Sequence, residues 1–290
     1  MRSEPEGRFH TVDVDPVTSG VRRAQLRTSD GVRIEAVYQP CRRSVPDGED
    51  RGGSPEPGPA IVVAHGFTGS ADRPAIRRAA DAFAAHAAVV TFSFRGHGRS
   101  GGHSTLGDRE VLDLVAAIAW ARAQGHPRIA TVGFSMGGSV VLRHAALYSA
   151  GRGGRTEACT DAVAAVSAPA RWYYRGTPPM RRVQWMISHP LGRAVGRYGL
   201  RTRIHDRAWD PVPLSPVEAV PLIAPTPLLI VHGDRDAYFP VDHPRMLAAA
   251  GPAELWLEPG MGHAESAAGD GLLERLAVWL TDRAAPADGP

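Results

Sequence analysis

The chain has 290 residues, of which 43% are hydrophobic and 22% are charged, a composition typical of a globular protein with a sizeable core. Glycine and proline together make up about 20% of the residues, too few for a disordered or collagen-like chain. The formal net charge is +3, and all 33 basic residues are arginine because the sequence contains no lysine. Phosphate-binding P-loops, kinase sites and Schiff-base chemistry need a lysine amine, so the sequence excludes them.

The distribution of charge and the number of cysteines exclude further classes of protein. The arginines are scattered among 30 acidic residues, which gives little support to a nucleic-acid partner. The two cysteines, Cys41 and Cys159, are too few for a disulfide framework and lack zinc-ligand spacing. No apolar run follows the first residues and none approaches the roughly 18 residues of a membrane span. We therefore expect a cytoplasmic protein without a membrane span.

The order of predicted elements indicates an α/β protein. Residues 21–39 alternate around the turn Ser29-Asp30-Gly31 and predict a β-hairpin, whereas the Gly- and Pro-rich residues 42–59 predict a surface loop. Apolar runs then alternate with helical periodicity along the chain, with strands at 60–64, 89–94, 129–132, 162–166, 227–231 and 255–257 and helices near 74–86, 108–124, from 136, 241–249 and 264–283. This alternation predicts one domain over residues 1–290, an open, mostly parallel sheet with helices on both faces. Chemistry in such sheets gathers at the carboxyl ends of the strands.

Residues 169–217 interrupt the alternation. They are rich in aromatic residues, arginine and proline, and the spacing of Met180, Val183 and Ile187 predicts one short amphipathic helix. Ser215-Pro216-Val217-Glu218 has the pattern of a capping box, so a helix is expected to restart there. An insertion of this kind forms either a lid or a packed peripheral helix pair. We favour a lid, because aromatic-rich insertions at strand ends commonly wall pockets.

The strongest motif for chemistry lies at residues 133–137, which read G-F-S-M-G between a predicted strand and a predicted helix. A serine in such a sharp turn is raised above the sheet, and small residues two positions to either side let the chain turn that tightly. The following helix N-terminus favours developing negative charge. The pattern predicts that Ser135 is a nucleophile. The alternative, a tight βα turn without a chemical role, is disfavoured because the expected strand and helix flank the motif.

A serine nucleophile needs a base and an acid that holds the base, and on this kind of sheet they follow the serine in the order acid, then histidine. Two carboxylates, Asp234 and Asp236, lie in one loop after the strand at 227–231. Among the histidines, His263 alone opens the last predicted helix after a glycine-flanked turn, so we assign it as the base. Six other histidines, which end strands, lie in loops or fall on or beside helices, are interpreted as structural: His65, His86, His97, His126, His144 and His232.

With these motifs in order, the sequence resembles the α/β-hydrolase family from about residue 25 to residue 283. It is most similar to the branch of serine esterases, monoacylglycerol-lipase-like and feruloyl-esterase-like proteins. The family's G-x-x-D turn matches residues 233–236, which implies that Asp236 is the acid and that Asp234 caps the turn. The resemblance implies the α/β-hydrolase fold, to which the lid expected at residues 169–217 would be added. A serine at the nucleophile position disfavours the family's dehalogenase and epoxide-hydrolase branches, which attack with a carboxylate.

The same logic predicts two backbone donors for an oxyanion. One is the N–H of Met136, directly after the nucleophile, and the second comes from the loop after the first parallel strand. That loop, residues 65–70, is similar to the family's His-Gly-aromatic motif, which implies that the N–H of Phe67 is the second donor.

A competing motif, G-x-G-x-x-G at residues 96–101, would bind a dinucleotide only if a helix began within it. Helical periodicity begins later, and the stretch resembles the family's structural R-G-x-G-x-S loop, so we reject that interpretation.

The sequence therefore predicts a serine hydrolase that cleaves a carboxylic ester of a small molecule through a Ser135–His263–Asp236 triad and an acyl-enzyme. This chemistry implies no metal or organic cofactor. The same triad could act on an amide, thioester or carbon–carbon bond, or pass the acyl group to an alcohol as an acyltransferase, because specificity lies in the pocket. A ligand-binding protein that keeps the fold without turnover is a third and less favoured class. The intact serine, aspartate and histidine set argues against it.

Overall fold

The computed structural model describes residues 20–42, 58–149 and 157–285, and most of the loop predicted over 42–59 lies outside these ranges. Within them, eight strands form one sheet in the order β1-β2-β4-β3-β5-β6-β7-β8. The strands are β1 (Arg22–Arg27), β2 (Arg33–Gln39), β3 (Ala60–Ala64), β4 (Ala88–Phe92), β5 (Ile129–Phe134), β6 (Ala162–Val166), β7 (Leu228–Gly233) and β8 (Glu254–Glu258). β1 and β2 form the predicted antiparallel hairpin, β2 pairs antiparallel with β4, and the other pairings are parallel.

Helices cover both faces of this sheet. In the described ranges they are α1 (Pro74–Phe83), α2 (Glu110–Ala123), α3 (Met136–Leu147), α4 (Pro178–Ser188), α5 (Pro190–Gly199), α6 (Pro216–Ala219), α7 (Asp242–Ala249), α8 (Ala264–Ala267) and α9 (Asp270–Ala284). Alternate residues of β3 belong to two separate apolar clusters, one shared with α2 and α3 and the other with α1 and α9. Every residue of β3 is buried. A strand with both faces covered must be apolar throughout, which is why the predicted continuous apolar runs form the central strands.

The predicted last helix, residues 264–283, is wrong in one respect. The segment forms two helices, α8 and α9, with a break at Ala268, whose ψ of 112° is extended, and Gly269, which begins α9 as its N-terminal flanking residue. The break follows from packing, because Ala268 is fully buried with the α1 and α9 side chains. The first predicted helix also stops earlier than expected, at Phe83.

Residues 169–217 run between β6 and β7 and contain α4, α5 and the start of α6. The predicted amphipathic helix is α4, and the capping box of Ser215 and Glu218 is present at α6. The sequence predicted one helix in the middle of this insertion, whereas the structure has two. After α5 the chain returns to the core: Thr202 and Ile204 form bridges with His97 and Ser104, and the Trp209 Nε1–H donates to the Thr105 carbonyl at 2.7 Å.

Candidate active site

Ser135 lies in the sharp turn between β5 and α3, with φ of 51° and ψ of −112°. A positive φ is uncommon for a residue with a side chain and marks a backbone held in place by its surroundings. The Ser135 amide donates to the Val166 carbonyl at 2.8 Å. A Cβ atom on Gly133 would collide with the Gly137 carbonyl, and one on Gly137 would collide with the Ala64 carbonyl. The small residues on either side of Ser135 are therefore a steric requirement of the turn.

The structure brings Ser135, His263 and Asp236 together. The His263 Nε2 atom lies 2.9 Å from the Ser135 Oγ, and its Nδ1 atom lies 2.7 Å from the Asp236 Oδ2. With the proton on Nδ1, the ring donates to the carboxylate and can accept the serine proton at Nε2. Asp234 does not join this set, because its Oδ1 atom accepts a hydrogen bond from the Gly260 amide at 2.6 Å. Asp234 therefore closes the turn before His263 and not the 233–236 turn that the resemblance implied.

Asp236 is held as an anion in a buried position. Its side chain is fully buried, and its second oxygen accepts hydrogen bonds from the amides of Tyr238 and Phe239 at 2.8 and 3.1 Å. Burial on its own would raise the pKa of this carboxyl, but the hydrogen bond and charge of His263 and the two amide donors bring its pKa below the ordinary value. An ionised Asp236 can stabilise positive charge on the His263 ring.

Two aromatic residues that the sequence analysis did not identify fix the imidazole. The Tyr238 ring stacks on His263 with centroids 4.2 Å apart and planes at 26°, and the Phe239 ring meets its edge at 5.6 Å. Both lie directly after Asp236, so the backbone donors to the carboxylate and the rings against the imidazole come from one tight turn. Aromatic residues after an acid are common, and the sequence carries no signal that separates these from core residues.

The two predicted oxyanion donors flank the same cavity. Met136 is the first residue of α3, so its N–H has no acceptor within the helix. Phe67 lies in the loop after β3, and both residues line the cavity with Ser135 and His263. The Gly66 carbonyl before Phe67 is fixed by hydrogen bonds from the Gly69 amide at 2.9 Å and from His65 Nδ1 at 2.7 Å. Together these contacts orient the peptide whose N–H belongs to Phe67.

His65 has the structural role that the sequence analysis assigned to it. Its ring is fully buried, and its Nε2 atom accepts from the Phe94 amide at 3.0 Å. With the proton on Nδ1, it donates to the Gly66 carbonyl. Burial is the main reason that its pKa lies well below the ordinary value, so the ring remains neutral and supports the loop after β3.

Glu265 is the second residue after His263, and the sequence does not predict a role for it in the site. Its Oε1 atom accepts a hydrogen bond from the Gly66 amide at 3.2 Å, and it lines the cavity beside Ser135. The contact joins positions 199 residues apart in sequence. A contact between positions so far apart leaves no pattern in the local sequence. A single glutamate near a helix N-terminus therefore does not indicate that it binds the Gly66 amide.

The cavity over Ser135 has a volume of about 1690 Å³. Its walls include Met180, Val183 and Ile187 of α4, so the predicted amphipathic helix turns its apolar side toward Ser135. Aromatic and charged residues line other parts of it: Asp30, Arg109, Trp172, Trp209 and Arg207. A space of this size and mixed polarity can hold a molecule with one apolar and one polar part.

Among the residues that the structure describes, neither a metal-binding cluster nor a dinucleotide-binding loop lies beside this site. Across residues 20–42, 58–149 and 157–285, no group of three or more His, Cys, Asp or Glu side chains is placed to hold a metal ion. In the G-x-G-x-x-G stretch, Gly96 and Gly98 have φ of 75° and 53°, and the next helix, α2, begins only at Glu110. The helix N-terminus that a pyrophosphate needs is therefore absent from this loop. The described helices include none long and apolar enough to cross a membrane.

Comparison with known proteins places this arrangement in a family. A profile of the Alpha/beta hydrolase family matches residues 61–274. A monoacylglycerol lipase of Mycolicibacterium smegmatis is 29% identical over 268 residues, which cover 80% of this chain and 86% of the lipase. Esterase LipC of Mycobacterium tuberculosis is 31% identical over 173 residues, which cover 53% of this chain and 40% of LipC.

Solved structures share the same fold at lower identity. The Pyrococcus furiosus esterase Pf2001 superposes with a TM-score of 0.64 at 21% identity, covering 93% of this chain and 96% of the esterase. Est1E of Butyrivibrio proteoclasticus, solved with ferulic acid bound, gives a TM-score of 0.58 at 20% identity over 89% of this chain and 97% of Est1E. The profile match, which extends over more than half of the chain, and the shared fold lead to one conclusion: the chain belongs to the α/β hydrolase family.

Proposed function

We propose that this α/β hydrolase is a serine esterase that cleaves a carboxylic ester of a small molecule. One observation carries the proposal: the continuous hydrogen-bonded series from the Ser135 Oγ through His263 to Asp236, at 2.9 and 2.7 Å. A serine hydroxyl is a weak nucleophile unless a base receives its proton, and a neutral imidazole oriented by a carboxylate is such a base. The names of the relatives, a monoacylglycerol lipase and esterases, agree with an ester substrate.

The reaction proceeds in two halves. The Ser135 oxygen attacks the acyl carbon while His263 Nε2 takes its proton, and Asp236 stabilises the imidazolium. The oxyanion of the tetrahedral intermediate accepts hydrogen bonds from the Phe67 and Met136 amides, each worth about 3–4 kcal/mol of barrier. The intermediate collapses, the C–O bond breaks, and the leaving alcohol takes the proton from His263. Water then attacks the acyl-enzyme, with His263 again as base, and releases the acid and Ser135.

The 169–217 insertion is proposed to be a lid within a single catalytic domain. Its helix α4 turns Met180, Val183 and Ile187 toward the cavity over Ser135, an apolar wall suited to an acyl chain. The Thr177 hydroxyl donates to the Tyr238 carbonyl at 2.9 Å, which ties the start of α4 to the turn that carries Asp236. The lid therefore contacts the residue whose amide donates to Asp236.

A fluorophosphonate probe tests the nucleophile. We expect one covalent adduct on the tryptic peptide that contains Ser135, and loss of both labelling and ester hydrolysis in Ser135→Ala and His263→Ala. Ser188→Ala is the matched control, because Ser188 is a cavity-lining serine on α4 that should leave both signals intact. Ester hydrolysis that persists in Ser135→Ala would reject the assignment.

The choice of bond needs a separate assay. Hydrolysis of p-nitrophenyl esters of increasing acyl length should exceed hydrolysis of aminoacyl amides and acyl thioesters of matched chain length. Added acceptor alcohols should leave the free acid as the main product. A higher rate on the amide or the thioester, or a dominant transesterification product, would assign the triad to that reaction instead.

A further inference from the structure

The charge of the chain is unevenly distributed between residues 171–205, which form most of the insertion, and the rest of the protein. Residues 171–205 contain eight arginines and no aspartate or glutamate, whereas the whole chain carries only +3, so the other residues together carry −5. The arginines are Arg171, Arg175, Arg181, Arg182, Arg193, Arg197, Arg201 and Arg203. Within the described part of the chain, the carboxylates that form ion pairs take other partners than these eight. None of the described ion pairs therefore neutralises their charge, and those that are exposed present it to solvent.

Helix α4 presents part of this charge on the side that faces away from the cavity. Arg181, Arg182 and Trp185 are exposed, and the Trp185 side chain keeps 44% of its accessible surface. At helical spacing these positions lie opposite Met180 and Val183, which face the cavity. α4 is thus apolar toward the site and basic with an aromatic residue toward solvent.

Helix α5 adds an apolar stripe beside it. Leu191, Val195 and Tyr198, spaced at i, i+4 and i+7, are 61%, 45% and 79% exposed. On another side of the same helix, Gly192 packs against the α4 backbone so closely that a Cβ atom would lie 2.6 Å from the Met186 Cα. The closest approach of the two helices is therefore at Gly192, while most of the stripe's surface faces solvent. Large exposed side chains at regular spacing mark a binding surface rather than a core.

From these observations, and resting on the proposed esterase function, we infer that the outer face of α4 and α5 docks on an anionic lipid surface. Arginines attract anionic headgroups, Trp185 and Tyr198 suit the headgroup region, and Leu191 and Val195 can enter the acyl boundary. A second copy of this face carries the same positive charge and would repel it. A nucleic acid would leave Leu191 and Val195 without a stacking partner. An amphiphilic ester could then pass from the surface to the cavity beneath the same two helices.

Vesicle sedimentation tests this inference without depending on catalysis, because the inactive Ser135→Ala protein is used. We expect it to sediment with vesicles of equimolar phosphatidylglycerol and phosphatidylcholine but not with phosphatidylcholine alone, and to be released by high salt. The triple variant Arg181→Gln, Arg182→Gln, Arg197→Gln should partition about 100-fold more weakly. The double variant Leu191→Ser, Tyr198→Ser should also lose binding. None of these five residues lines the cavity.

The controls separate this inference from the proposed function. Arg77→Gln with Val278→Ser changes an exposed arginine on α1 and an exposed apolar residue on α9 and should bind as the parent does. With Ser135 restored, both surface variants should hydrolyse soluble p-nitrophenyl acetate at the parent rate, so a failed esterase assay is distinct from failed docking. Equal sedimentation with neutral vesicles, unchanged binding in the surface variants, or self-association or RNA binding in place of vesicle binding would overturn the inference.

Discussion

The carboxylate of Glu265 accepts a hydrogen bond from the Gly66 amide at 3.2 Å and thereby joins the turn after His263 to the loop that carries Phe67. Helix α1 supports the same turn, because Arg78 donates to the Glu265 carbonyl at 3.2 Å and to the Ala268 carbonyl at 2.6 Å. The proposed general base and one proposed oxyanion donor are therefore positioned by one connected set of contacts. Donors fixed before the reaction stabilise charge without reorganisation in the transition state.

Replacement of Glu265 tests the importance of this contact. Glu265→Ala should lower kcat about tenfold with little change in KM, because a loosened Phe67 amide weakens transition-state binding more than substrate binding. Glu265→Gln keeps an oxygen acceptor for the Gly66 amide and should retain most of the activity. Steady-state kinetics on one soluble ester, with circular dichroism to check folding, compares the two. An equal loss in both variants would mean that the negative charge, rather than the hydrogen bond, is what matters.

The two aspartates of the turn after β7 should respond differently to the same substitution. Asp236→Asn should reduce kcat by about 10⁴, since an amide at this position favours the wrong histidine tautomer. Asp234→Asn should change kcat only a few-fold, because its side chain contacts the Gly260 amide rather than His263. Measured kcat values for this matched pair decide which carboxylate serves His263. A larger loss in Asp234→Asn would exchange their roles.

Asp30 should make stability depend on pH. Although partial burial opposes ionisation, the two hydrogen bonds from Arg95, at 2.7 and 3.0 Å, help to lower the pKa of Asp30 to about 2. A carboxyl with a lowered native pKa contributes stability above its unfolded pKa of about 3.9 and loses it as pH falls through the native value. Asp30→Asn should therefore lower Tm near neutral pH, and the difference from the parent should shrink between about pH 4 and pH 2.

Thermal unfolding across this pH range gives the comparison. Asp282→Asn, at an exposed position of α9, is the control and should follow the parent at every pH. A Tm difference for Asp30→Asn that is constant down to about pH 2 would show that the carboxylate charge does not contribute through Arg95.

Two glycines should respond oppositely to alanine. At Gly137 a Cβ atom would collide with the Ala64 carbonyl, so Gly137→Ala should cost at least about 1–3 kcal/mol of unfolding free energy and displace Ser135. At Gly271, in the first turn of α9, no atom lies within 4 Å of the added Cβ apart from the chain neighbours and the helix's own backbone. Gly271→Ala should stabilise the protein by about 0.4–1 kcal/mol by restricting the unfolded chain. Urea unfolding measures both, and a neutral Gly137→Ala would contradict the steric account of the turn.

Features that depend on near neighbours in the chain could be predicted without coordinates. The strand–turn–helix around Ser135, the capping box at α6 and the alternation of strands and helices follow from residue types within a few positions of one another. Local patterns also mislead at α5. Its segment contains Gly192, Gly196 and Gly199, and because glycine disfavours helices locally, the sequence does not predict this helix. In the folded protein Gly192 allows the close approach to α4 that supports the helix, and that contact is invisible in the local pattern.

What required the folded chain is the set of relationships between distant positions. Ser135 and His263 are 128 residues apart and their reacting atoms are 2.9 Å apart, a proximity created by parallel strands whose carboxyl ends share one edge of the sheet. The residue types and their motifs predict these two side chains. Packing decides the rest: the distance between them, which of Asp234 and Asp236 contacts His263, the stacking of Tyr238 on His263 and the contact of Glu265 with Gly66. Local conformational preferences are encoded in short segments, whereas the assembly of a site depends on how those segments bury their apolar faces together.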